Sequence, residues 1–148
     1  MRIDAAEQAD SDIDWFAVDG DGHVVYLASG GGTLPESVAA SEEALLQLHQ
    51  YFLTLPETPA AALVQIEPNA QQSGRNYQSF ARYARRGLFA FDKTRLNAPA
   101  DTGYHLVARP ASPLLLGTLP GPIAALLLRT QLPLSVQDAT QLDIAGVD

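Results

Sequence analysis

The chain contains no cysteine. That excludes a disulfide framework, a thiolate zinc site and a cysteine nucleophile, and it suits a reducing compartment. A chain of 148 residues fits one domain and can bury a core that needs neither disulfide nor structural metal. The opening "MRIDAAEQADSDID" lacks the basic start and apolar run of a secretory leader, so a cytoplasmic protein is expected. Residues Met1 to Ser11 also lack apolar periodicity and read as a loose acidic lead-in. One uncharged stretch, Pro110 to Leu128, has 19 residues, enough to span a bilayer if helical. Pro113, Pro120 and Pro122 inside it oppose a helix, since each interior proline costs ~3 kcal/mol. It reads as buried core, and no membrane association is expected.

Signatures of several chemistries are missing as well. A phosphate cradle needs a lysine and a hydroxyl at fixed spacing after its glycines, and "SGGGTLPES" supplies no lysine. Ser29 to Thr33, with Gly30, Gly31 and Gly32, therefore read as a mobile connector or as a place where another backbone approaches closely. "DGDGH" invites a calcium reading, but setting Gly22 at the sixth position of an EF-hand puts Ala17 at the first and Ala28 at the twelfth, where oxygen ligands are required. His23, His49 and His105 are far apart and lack metal-binding spacing; His49 reads as a satisfied interior or boundary side chain. Ser29 is not in a nucleophile elbow. No cofactor, metal or catalytic residue is assigned, although an enzyme assembled from distant residues, such as an acidic pair with His23, stays open.

What is present is a pattern of strands and helices. "DWFAV" and "HVVYLA" are rich in aromatic and β-branched residues and flank the turn-forming "DGDG", which predicts a β-hairpin. Ser41 caps a predicted helix with Glu42 and Glu43 in its first turn and a face of Leu45, Leu48, His49 and Phe52 that Leu46 and Leu53 widen, ending near Thr54. "AALVQIE" (Ala61 to Glu67) predicts a strand. Ser73 and Gly87 bracket a second helix. "LFAFD" and "YHLVARP" predict an antiparallel pair, and a last short helix is expected from about Leu119 to Thr130. The irregular alternation predicts an α+β fold: an antiparallel or mixed sheet beginning with a β-hairpin, with about three helices packed on it.

Charge is divided along the chain. Residues Met1 to Glu67 carry 12 acidic groups against Arg2 alone, a balance of −11, while the remainder is +3. Long-range attraction should draw a basic partner to the first half and repel nucleic acid. The counterpart is a basic cluster on the second helix, including Arg75, Arg82, Arg85 and Arg86 with Tyr77 and Tyr83 among them. Cations interleaved with rings can bind single-stranded nucleic acid. Neutralisation by the chain's own acidic half is the favoured reading.

The stretch "DWFAVDGDGHVVYLASGGGTLP", followed by a helix and later by "RGLFAFD" and "YHLVARPASPL", resembles small, largely uncharacterised bacterial immunity-type proteins that accompany secreted toxins. The resemblance implies a non-enzymatic binding protein. Combined with the charge division, the leading expectation is an acidic cytoplasmic protein that docks a basic partner through Asp19, Asp21, Glu36, Glu42 and Glu43. Trp15 or Tyr26, if exposed, would then supply aromatic anchors, as would Phe16. Two further classes are a small-ligand binder or enzyme using the glycine-rich loop, and a self-associating structural module.

Overall fold

The computed structural model describes residues 1–58, 64–66, 77–96 and 98–148. Its first two strands form the hairpin: β1 (Asp14–Val18) pairs antiparallel with β2 (Val24–Ala28), placing Phe16 opposite Tyr26. The turn between them closes through the Asp19 amide, which donates to the His23 carbonyl at 3.1 Å, and Gly22 takes a φ of +84° that favours glycine.

The sheet is mixed. Its order is β1-β2-β4-β5-β3, with β6 also paired to β5. β2 runs parallel to β4 (Phe89–Lys93), while β4 and β5 (Gly103–Pro110) form the expected antiparallel pair. β3 (Val64–Ile66) and β6 (Gln141–Asp143) add to the far side of β5. The architecture is α+β.

Helix α3 (Glu42–Leu53) begins where the sequence places its cap, with the Ser41 hydroxyl accepting from the Ala44 amide at 3.1 Å. It turns Leu45, Leu48 and Phe52 inward, whereas Leu46 and Leu53, expected to widen that face, lie beyond its edge and stay exposed. Helix α4 (Gln78–Arg85) buries Phe80, Ala81, Tyr83 and Ala84, and Gly87 just beyond it has φ +100°. Helix α5 (Gly121–Leu127) carries Pro122 in its first turn, where the missing amide costs nothing. The described part of the second predicted helix starts at Gln78, and Ser73 and Arg75 lie outside the described residues, as does most of the predicted strand around Val64–Ile66.

Two helices were not anticipated. α1 (Ala5–Asp10) is capped by Asp4, whose side chain accepts from the Glu7 amide at 2.8 Å, and α2 (Glu36–Ala39) is a single turn after Pro35. The first residues are consequently built in rather than loose. Ile3 is 2% exposed, its amide donates to the Ala39 carbonyl at 2.9 Å, and its carbonyl accepts from the Gln8 side chain at 2.8 Å. Gln8 in turn accepts from the Leu34 amide at 2.9 Å.

Every residue of β2 and β4 is buried, as are the last four of β1, so both faces of the central sheet are covered. On one face Phe16 meets Tyr26, His49, Phe52 and Tyr83. Trp15 points to the other face and meets Tyr104 edge-on. The segment Pro110 to Leu128 departs from the expected core. Its prolines divide it into a bend, a 3-10 turn (Leu116–Thr118) and α5. It runs over the surface, burying Leu119 and Leu127 while Leu115 and Leu128 stay exposed. Among the described residues, no helix is long and apolar enough to cross a membrane.

Candidate functional site

Six exposed carboxylates lie on or at the start of the consecutive helices α1, α2 and α3: Asp4, Glu7, Asp10, Glu36, Glu42 and Glu43. Backbone bonds tie the residues just before α1 to α2 and α3, since the Ile3 amide donates to Ala39 and the Glu42 amide donates to the Met1 carbonyl at 2.8 Å. Arg2 forms a two-pronged pair with Glu36, and the Met1 amine pairs with Glu43. These partners hold both carboxyls below the usual range. Glu7, Asp10 and Glu42 carry no ion pair among the described residues. They present uncompensated negative charge.

Asp19 does something different. Its side chain is buried, and both oxygens are engaged: Oδ1 accepts from the Asp21 and His23 amides at 3.0 and 2.8 Å, and Oδ2 accepts from the Val136 amide at 2.9 Å and lies 2.8 Å from His23 Nδ1. Burial by itself would raise its carboxyl, but the bonds from Val136 and His23 outweigh it and hold the group low. Asp19 is therefore a structural clasp and leaves the partner-binding set. Asp21 remains exposed at the turn. Asp19, Asp21 and His23 bring ligand-capable atoms within 4.8 Å of one another, a closeness that the clasp itself explains.

Trp15 and Tyr26 also leave that set, being 0% and 1% exposed. The indole Nε1 of Trp15 donates to the Tyr104 hydroxyl at 3.4 Å, and Tyr26 stacks on Tyr83 with ring centres 4.1 Å apart. Phe16 is equally buried, so neither side of the strand offers an aromatic anchor. An exposed apolar group beside the acids of α3 is Leu46, 54% exposed and three and four residues beyond Glu43 and Glu42 on the same helix.

The glycine-rich loop is tied down. Gly30 and Gly31 have φ of +53° and +80°, the Gly30 amide donates to Asp12 at 2.9 Å, and the Gly32 amide donates to the Ser29 carbonyl at 2.8 Å. The Ser29 hydroxyl accepts from the Ile13 amide at 2.8 Å. A Cβ on Gly32 would lie 3.0 Å from Lys93 Cε, so the group that comes close to the loop at Gly32 is a side chain and not another backbone segment. Lys93, the chain's single lysine, is buried, and its ammonium donates to the Arg95 and Ala98 carbonyls at 3.0 and 2.8 Å. Burial lowers its pKa.

The basic helix meets its countercharge in Glu57, which lies 3.4 Å from Arg82, 3.3 Å from Arg85 and 3.7 Å from Arg86. Tyr83, buried against Tyr26, offers no open face for stacking a base. His49 is satisfied, with Nε2 2.9 Å from the Asp14 carbonyl. No protein family, curated protein or solved structure matches the chain.

Proposed function

We propose that this chain is a non-enzymatic binding protein that captures a basic protein on the face formed by α1, α2 and the start of α3. Neutralising a toxin, as immunity-type proteins do, is the role that fits such capture. The observation that carries the reading is the six exposed carboxylates of the first three helices, a segment whose own basic groups are Arg2 and the Met1 amine. A fixed array of like charge accelerates encounter with an oppositely charged surface, because the field acts before contact and the side chains need no rearrangement. Leu46 supplies apolar area beside it, and contact there slows dissociation.

The test uses the triple variant Glu7→Gln, Asp10→Asn and Glu42→Gln, which removes charges without removing the Asp4 cap or the ion pairs of Glu36 and Glu43. With a captured partner, the association rate at low salt should fall by about tenfold while dissociation changes little. An unchanged association rate contradicts the proposal.

A further inference from the structure

Helix α3 has a second apolar side. Leu46 and Leu53 are 54% and 55% exposed. They stand one heptad apart and so project from the same face, with the exposed Gln50 between them. Beside this stripe a groove of about 380 Å³ runs between α3 and α5, with Gln47, Gln50, Tyr51, Thr54, Ile123 and Leu126 among its walls. Among the described residues, none that lines it is charged. A single exposed leucine is ordinary on a protein surface, but two in register beside an uncharged groove form a face suited to another protein surface.

The two ends of the face differ in charge. Its N-terminal end holds Glu42 and Glu43, both exposed. At the other end Leu53 shares a cavity wall with Arg82 of α4, whose side chain is 62% exposed and reaches Glu57 through Nε at 3.4 Å. The order along the face is therefore acid, leucine, glutamine, leucine, guanidinium. Turned end for end, that order is its own complement. Leucine then meets leucine, acid meets guanidinium, and glutamine meets glutamine, whose amide both donates and accepts.

We propose that this face binds a second copy of the chain, with the two α3 helices antiparallel across a two-fold axis near Gln50. Leu46 of each protomer packs on Leu53 of the other, and Glu42 and Glu43 lie toward the other's Arg82. A two-fold contact must match itself. The carboxylates of α1 and α2 would repel their own copy, whereas the stripe on α3 is uncharged at its centre and complementary at its ends. Leu46 also borders the acids assigned above to capture of a basic protein, so pairing and capture exclude one another. The pairing goes beyond that reading and is measured without any captured partner.

The experiment is sedimentation equilibrium of the full chain from about 5 μM to about 500 μM, a range that detects weak pairing. The mass should rise from that of one chain toward that of two. Leu46→Glu alone and Leu53→Lys alone should each weaken pairing by about tenfold or more, because each sets a charge against the other protomer's leucine. An equimolar mixture of the two variants should pair again. In the mixed pair the introduced carboxylate faces the introduced ammonium, while Leu53 of the first variant faces Leu46 of the second. Both substitutions alter exposed side chains, so an unchanged circular dichroism spectrum reports an intact fold. The proposal is overturned if the native chain keeps the mass of one chain throughout, which would leave the face to a different protein. It is equally overturned if either variant pairs as tightly as the native chain, or if the mixture pairs no better than its components.

Discussion

The Asp19 carboxylate accepts a hydrogen bond from the Val136 amide at 2.9 Å, across 117 positions of sequence. The same group holds its own turn through His23 and Asp21, so one buried side chain ties the first hairpin to the C-terminal segment. Asp19→Ala should cost about 3 kcal/mol, since it strands buried N–H donors that served a charged acceptor. Urea unfolding measures it. A loss below about 1 kcal/mol would mean that the clasp is not an important restraint.

The pH dependence follows from the direction of the Asp19 shift. Its folded pKa lies below the ordinary value of 3.8, so the folded state releases this proton more readily than the unfolded chain. The resulting stability is fully present above about pH 5 and is lost as the pH falls through the lowered pKa. Unfolding free energies from about pH 6 to pH 3 should fall less steeply in Asp19→Asn than in the native chain.

The two glycines with the sharpest contrast are Gly87 and Gly20. A Cβ on Gly87, at φ +100°, would sit 2.7 Å from the Leu114 amide nitrogen, whereas one on Gly20 meets nothing within 4 Å. Gly87→Ala should therefore destabilise the fold by about 2–4 kcal/mol and Gly20→Ala by less than about 0.5 kcal/mol. Thermal or urea unfolding of the pair separates conformational strain from a general cost of replacing glycine.

Lys93 gives a chemical probe of the glycine-rich loop. Its ammonium is enclosed beneath Gly32 and bonded to two carbonyls, so an amine-reactive ester should leave it unmodified in the folded protein and label it on unfolding. Peptide mass spectrometry reads the outcome directly. Gly32→Ala, which brings a Cβ within 2.8 Å of the Ser29 carbonyl, should open the loop and make Lys93 reactive.

Much of the fold was legible because its signals are local. "DGDG" marked the hairpin, Ser41 the start of α3, and Gly87 the end of α4. Helix α1 escaped notice for lack of apolar periodicity, yet a local signal existed: Asp4 precedes Glu7 by three residues, as in a capping box, with the buried Ile3 just before it. Trp15 and Tyr26 were misplaced because alternation cannot show whether a strand's second face is covered. The unbroken apolar run "VVYLA" was the available sign that it is. The roles of Asp19 and Glu57 depend on partners 25 to 117 residues away, and spacing along one chain does not reveal such pairings. Exposure also divided the acidic residues, turning a count of charges into a face with Glu7, Asp10 and Glu42 at its disposal.

The most direct test of that face is parallel capture from a lysate of the source organism, using the immobilised native chain and the triple variant Glu7→Gln, Asp10→Asn, Glu42→Gln. Runs at about 20 mM and about 500 mM salt separate screened from unscreened attraction. The account predicts a basic protein held by the native chain at low salt, released at high salt, and retained far less by the variant. Equal retention of that protein by both chains, or capture insensitive to salt, would contradict it.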